Sequence, residues 1–321
     1  MAPIAIGIHG GCGALSRELL SEAEWAEARE HLANSLRAGW AILADGGRSI
    51  DAVEAAVVVM EDSPHFNAGH GAALTSAEDH ELDASIMDGA TLSAGAVCAV
   101  RRIRNPIKAA RAVMDKSDCV LLAGGAADEF AQGCGLAMVD NSYFTTERRR
   151  QALASLKARA AAGTILCATE AEKHGTVGAV ALDAAGHLAA ATSTGGFNNK
   201  TPGRIGDSAI IGAGTYARDG VCAVSCTGQG EFFIRHVAAH EIAARMMYAG
   251  ATLQAATDSI VSEIMPSYGI GAGLVAVDAQ GCVHAPFNTL GMYRGWVTAD
   301  GDMTVATHRE VYAMGRLHRP H

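Results

Sequence analysis

Apolar residues along this chain follow two rhythms. From Glu22 to Leu43 the positions Trp25, Ala28, Leu32, Leu36, Trp40 and Leu43 recur at three- and four-residue steps, the period of one helical face, and Gly46-Gly47 ends the run. Ser49 fits the N-cap of a second helix through Ala52 to Met60. Ahead of both lies an apolar strand, Pro3 to His9, closed by the glycine-rich turn Gly10-Gly11-Cys12-Gly13. Strand-like runs return at Glu81 to Met87, Ser93 to Val100 and Cys119 to Ala123, and a helix fits Pro106 to Lys116.

Between about Thr145 and Gly175 no apolar face is sustained. Thr-Thr-Glu-Arg-Arg-Arg gives way to alanine-rich stretches and then to the polar segment Thr169 to His174, which predicts a linker over about 145–175. From Thr176 onward the rhythm shortens to apolar runs broken by Asp183-Ala-Ala-Gly186, Ala217-Arg-Asp-Gly220, Asp278-Ala-Gln-Gly281 and Thr298-Ala-Asp-Gly301. Each turn predicts an antiparallel hairpin. A helix from Gly230 to Tyr248 interrupts them, with Phe232, Phe233, His236, Val237, His240, Ile242 and Ala243 as its inner face. Strands from both halves with helices outside them predict an α+β fold, a four-layer αββα sandwich in which 1–175 and 176–321 make one domain rather than two.

Composition narrows the chemistry. With 37 glycines in 321 residues and only 5% aromatics, the core must be close-packed from small aliphatic side chains. A net charge of −9 leaves no basic face for a nucleic-acid backbone. No apolar stretch reaches the roughly 18 residues of a membrane span, and Met-Ala-Pro-Ile-Ala-Ile lacks the basic start of a secretory signal, so a cytoplasmic protein with no membrane partner is expected. The eight cysteines are scattered without a CxxC pair; they read as small buried thiols in a reducing compartment.

The segment His174-Gly175-Thr176-Val177-Gly178-Ala179 sets a threonine between the predicted linker and a buried strand. Alone, that is only a turn. Three more polar sites end apolar runs: Ser193-Thr194-Gly195-Gly196, Gly203-Arg204-Ile205-Gly206-Asp207-Ser208 and Ser225-Cys226-Thr227-Gly228-Gln229-Gly230-Glu231. Together they resemble the β-subunit signature of the plant-type asparaginase/isoaspartyl peptidase family. The resemblance extends in order to His9-Gly10-Gly11, Phe66-Asn67-Ala68-Gly69, Met87 to Leu92, Arg104-Asn105-Pro106, Pro286-Phe287-Asn288-Thr289 and Gly291-Met292-Tyr293-Arg294.

That resemblance implies an N-terminal-nucleophile hydrolase whose precursor cuts itself at Gly175–Thr176 into an α subunit, 1–175, and a β subunit, 176–321. Thr176 would then carry both the nucleophilic hydroxyl and a free α-amine that serves as its base. It further implies that Thr194 orients the nucleophile and that Thr227 with the Gly228 N–H forms the oxyanion hole. Arg204 and Asp207, with the Gly230 carbonyl, would clamp the substrate's α-carboxylate and α-ammonium. Asn67 is placed near the substrate. L-asparagine and β-aspartyl dipeptides are the implied substrates, and a homodimer of αβ pairs the implied assembly. No cofactor is implied beyond a structural sodium ion on the backbone carbonyls of Met60, Glu61, Ser63, Phe66, Ala68 and His70.

Other readings carry less. Glycosylasparaginases set aspartate, not glycine, before the nucleophile, and nothing suggests the protein-binding surface of a taspase-like protease. His236 and His240 stand four apart on the predicted helix, but His-Val-Ala-Ala-His lacks the glutamate of HExxH and a third ligand, so a metal hydrolase is disfavoured. Gly10 to Gly13 fits neither GxGxxG nor the P-loop spacing of a nucleotide site. A non-catalytic binding protein that is never cleaved is the remaining alternative.

Overall fold

The computed structural model describes residues 3–13, 15–162 and 175–318. One sheet is built from β1 (Ala5–Gly13), β2 (Leu82–Asp88), β3 (Ala94–Val100), β4 (Leu121–Ala123), β5 (Val177–Leu182) and β6 (Leu188–Thr194), together with the late strands β11 (Gly291–Val297), β12 (Asp302–Ala306) and β13 (Val311–Arg316). A second holds β7 (Thr215–Arg218), β8 (Cys222–Gly228), β9 (Ala272–Asp278) and β10 (Val283–His284). The larger sheet runs β13-β12-β11-β1-β5-β6-β2-β3-β4 and the smaller β10-β9-β8-β7. Pairing is antiparallel except between β3 and β4. All four predicted hairpins are present.

Strand alternation explains why the central strands are apolar on both faces. Ile4, just before β1, and Ile6 and Ile8 within it, with Val177, Ala179 and Ala181 of β5 and Ala189 and Ala191 of β6, join a core with the N-terminal helices. Their neighbours Ala5, Val180, Leu182, Leu188 and Ala190 join a second core with the smaller sheet. β1 of the first half lies between β5 and β11 of the second, so the larger sheet is built from both halves.

Helix α1 (Glu22–Ala44) buries the predicted stripe from Trp25 to Leu43 and starts with a capping box between Ser21 and Glu24. Helix α2 (Ser49–Glu61) packs on β5 and β6, and α3 (Pro106–Lys116) on β2 and β3. Ser49 is not a cap: it is the first helical residue, and the carboxylate of Asp183 takes its N–H at 2.9 Å instead. Helix α4 (Gly124–Gly133) follows β4. The predicted linker contains helix α5 (Glu147–Ala161), capped by Thr146 and burying only Leu153 and Leu156; two anchors in fifteen residues leave too faint a stripe to detect. Residues 163–174, His174 included, lie outside the described residues.

The glycine-rich turn after Pro3 to His9 is strand too: β1 continues through Gly13, with a bulge between His9 and Gly11. The predicted helix from Gly230 is two, α6 (Gly230–His236) and α7 (Ala238–Ala249), broken at Val237, whose φ of 47° puts it in the left-handed region. Val237 is therefore exposed rather than on an inner face. Helix α8 (Leu253–Asp258) packs with α7 over the smaller sheet. Cys12, Cys98, Cys222 and Cys226 are buried, whereas Cys119 and Cys282 are exposed. No described helix is long and apolar enough to cross a membrane.

Candidate active site

Thr176 sits immediately before β5, 7% exposed. Its Oγ1 donates to Oγ1 of Thr194, the last residue of β6, over 3.2 Å. Thr194 Oγ1 in turn accepts the Gly196 N–H at 3.0 Å. Hairpin register brings these hydroxyls together, since Val177 pairs with Ser193 and Thr176 and Thr194 flank that pair. The two threonines share one cleft with Arg204, Asp207 and Gly228.

Gly175 is wedged. Its own φ is +152°, and a Cβ there would lie 2.6 Å from Cβ of Asn67; a Cβ on Gly11, at φ +102°, would lie 2.8 Å from the Gly175 carbonyl carbon. Only glycines allow three backbone segments to meet so closely. The Asn67 N–H points at the Gly175 carbonyl oxygen, 3.3 Å away. Asn67's side chain is occupied with backbone, donating to Gly196 O and accepting from the Ala73 N–H at 2.6 Å. It thereby fixes the turn after Thr194.

A buried relay backs the nucleophile. His9 Nδ1 lies 3.0 Å from the Thr176 carbonyl oxygen and Nε2 lies 2.9 Å from Ser225 Oγ. Ser225 continues to Thr192 at 2.7 Å, Thr192 to Thr215 at 2.6 Å and Thr215 to Ser85 at 2.8 Å. The Thr176 carbonyl can only accept, so His9 donates to it, and Ser225, Thr192 and Thr215 can each donate toward His9; Ser85 at the far end has one proton to divide between Thr215 and the Ser208 carbonyl at 2.6 Å. Complete burial pushes the His9 imidazole down to about 3, so it stays neutral and keeps one donor and one acceptor.

Thr227, at the end of β8, is buried, and its Oγ1 accepts the Cys12 N–H at 3.3 Å. Gly228 follows at φ +155°. Arg204 does not pair with Asp207. Its Nε and Nη2 grip both carboxylate oxygens of Glu231 at 2.9 and 3.0 Å, and its guanidinium lies 4.7 Å over the Phe197 ring. Asp207 is 3% exposed, its Oδ2 has no hydrogen-bond partner among the described residues, and burial pushes its carboxyl up to about 7 despite Arg204 nearby. Gly230 packs on it so tightly that a Cβ would lie 2.9 Å from Asp207 Oδ1. A buried carboxylate with an orphaned oxygen is costly unless a ligand completes it.

The roles of His9, Glu231, Phe197 and Lys200 escaped the sequence reading. Lys200 is buried and donates to the Glu81 carbonyl at 2.8 Å, bracing the loop that carries Arg204. His9 lay in a quoted motif, but only the sheet-to-sheet contact reveals its task. His236 and His240 fall on different helices and pack against Tyr268 and Tyr216, at 5.5 and 5.0 Å between rings.

The loop from Met60 to His70 brings backbone carbonyls close together at Gly71. Gly71 lacks the Cβ that would sit 2.7 and 2.9 Å from the Phe66 and Pro64 carbonyls, so these oxygens line a backbone cradle with no side chain in it. Met60 O accepts N–H bonds from Asp62 and Ser63, and Glu61 O accepts one from His70 and keeps a second lone pair.

Comparison with known proteins identifies the family. The asparaginase family model described as Asparaginase matches residues 1–307. The isoaspartyl peptidase of Escherichia coli strain K12 is 47% identical over 315 residues, covering 97% of this chain and 98% of that protein. The probable isoaspartyl peptidase/L-asparaginase 2 of Arabidopsis thaliana is 42% identical over 326, covering 94% and 98%. The human isoaspartyl peptidase/L-asparaginase is 44% identical over 236, covering 73% and 74%. A nearly full-length match of this strength, on a chain whose paired threonines share a cleft with a buried carboxylate that has an unpartnered oxygen, has one meaning: the chain belongs to the asparaginase family.

Proposed function

We propose that this chain cuts itself between Gly175 and Thr176 and then hydrolyses L-asparagine and β-aspartyl dipeptides to L-aspartate through an acyl-enzyme on Thr176. The observation that carries the reading is the Thr176–Thr194 hydroxyl pair opening onto the same cleft as Arg204 and the orphaned oxygen of Asp207.

In maturation the Thr176 hydroxyl attacks the Gly175 carbonyl carbon while the Asn67 N–H steadies its oxygen. The C–N bond breaks as nitrogen takes the proton, and water hydrolyses the resulting ester. The fragments, 1–175 and 176–321, remain interlocked through β1 and β5. The new α-amine, with an unperturbed pKa of about 7.7–8.0, is partly neutral near pH 7.5 and accepts the hydroxyl proton.

In turnover, Thr176 Oγ1 attacks the substrate's side-chain carbonyl, and Thr227 and the Gly228 N–H receive the oxyanion. The amine returns its proton to the leaving ammonia or amino acid. Water then attacks the acyl-enzyme, with the same amine as base, and aspartate leaves. The α-carboxylate meets the free Nη1 end of Arg204, and the α-ammonium completes Asp207 beside Gly230. A sodium ion on the Met60 to His70 carbonyls would stiffen the loop that presents Asn67.

The same reading favours a four-layer αββα arrangement. It is supported by α1 and α2 packing on the larger sheet, by contacts of β1, β5 and β6 with the smaller sheet, and by α7 and α8 packing on the latter. Incubating the purified protein with L-asparagine and with a β-aspartyl dipeptide, and measuring free aspartate, tests the activity. Aspartate from neither would refute it.

A further inference from the structure

Away from the cleft, three metal-binding side chains converge between α1 and the loop after α2. Glu27 and His31 stand one helical turn apart, and His65 approaches them from the loop. One ligand atom from each lies within 4.8 Å of the others. His65 Nε2 is 3.4 Å from Glu27 Oε1, and the His31 and His65 rings stand 4.8 Å apart.

These distances have a chemical meaning. Two ligands bound at 2.0–2.1 Å to a tetrahedral ion stand about 3.3 Å apart, so the His65–Glu27 pair already has the right span. His31 needs only a side-chain adjustment to join. A Glu27–His65 ion pair alone would account for two of these groups and leave unexplained why a second imidazole faces them. Two imidazoles and one carboxylate are a donor set for a borderline divalent ion, with the remaining coordination left to water.

We propose that Glu27, His31 and His65 bind a divalent cation of the Zn²⁺ class, which ties helix α1 to the loop bearing Phe66 and Asn67. Phe66 is fully buried with its ring edge-on to Tyr293, and Asn67 holds both Gly175 and the turn at Gly196. The ion would therefore brace the loop that contacts Gly175 and Gly196, without touching substrate. This site is independent of the reaction proposed above.

The test is titration of tag-free, chelator-stripped mature enzyme with ZnCl₂ by calorimetry, alongside thermal melting and hydrogen exchange. One ion should bind per 321-residue chain, raise Tm by about 3 °C at saturation and slow exchange over 62–71. His65→Ala and His31→Gln should each weaken binding at least about tenfold while metal-free Tm stays within about 1 °C of wild type, as expected for partly exposed side chains. Glu27→Gln, on an exposed position, guards against a folding defect in either histidine variant. No binding up to millimolar zinc, or equal binding by wild type and all three variants, would overturn the proposal. So would one tight ion per chain without slower exchange over 62–71.

Discussion

Arg204 offers its Nε–Nη2 edge to Glu231 and leaves its Nη1 end beside Gly206, where a Cβ would lie 2.8 Å from Nη1. With Phe197 under its face, the guanidinium is held on one edge and one side and presents the rest of its five donors to the cleft. Glu231 is therefore a positioning residue. Glu231→Gln should raise KM for L-asparagine by about 3- to 10-fold with kcat nearly unchanged, the scale of a partly exposed pair. A lower KM would mean that Glu231 competes with the substrate carboxylate instead.

Arg204→Lys retains the charge and loses the fork, so KM should rise much further and kcat/KM should fall by at least about a hundredfold. Steady-state kinetics on asparagine decides it, and near-wild-type efficiency would remove Arg204 from the site.

Asp207 makes the acid limb of the pH profile informative. Its carboxyl, raised to about 7 by burial, must be ionised to hold the α-ammonium, and the Thr176 amine must be neutral to act as base. Both requirements fail as pH falls, so log kcat/KM should drop with a slope approaching two below pH 7. In Asp207→Asn the slope should fall to one. His9 contributes no limb there, because burial keeps it neutral down to about 3. An unchanged slope in the Asn variant would assign the second proton elsewhere.

Glu61 predicts a stability effect without a catalytic one. It is fully buried, Ser193 Oγ and the Ile107 N–H reach its Oε1 at 2.6 and 3.0 Å, and burial raises it to about 8. A carboxyl whose folded pKa exceeds its unfolded value holds an extra proton in the native state between those values, so stability falls as pH rises from about 4.5 to 8. Glu61→Gln should flatten this slope and melt higher than wild type at pH 9, by several degrees. Equal melting curves across pH would show that Glu61 is already ionised.

Much of the fold was legible because its cues are local. The stripe from Trp25 to Leu43, Pro106 at a helix start and the four turns ending in Gly186, Gly220, Gly281 and Gly301 declare their elements within a few residues. What the sequence hid was nonlocal. Asp183 replaces a cap for Ser49 from 134 residues away, and His9 reaches Ser225 over 216. The resemblance named Arg204 and Asp207 as groups that hold the substrate, but no local cue marked Glu231, 27 residues on in sequence, as the partner that holds Arg204. Helix α5 was missed because its inner face is only Leu153 and Leu156.

Thr176→Ala should leave the chain whole, since no hydroxyl remains to attack the Gly175 carbonyl. Thr194→Ala should slow maturation and turnover together, as the 3.2 Å bond that sets the Thr176 rotamer is lost. Gel electrophoresis over time checks both.

The most direct measurement joins residues 1–175, by co-expression, to a second chain that starts either at Thr176 or with one extra residue before it. In the extended form the hydroxyl is in place, but the nitrogen is an amide and accepts no proton. After N-terminal sequencing has verified both starts, the chain beginning at Thr176 should hydrolyse L-asparagine, and the extended one should be slower by orders of magnitude. Equal rates would contradict the account, because another base would then be serving Thr176.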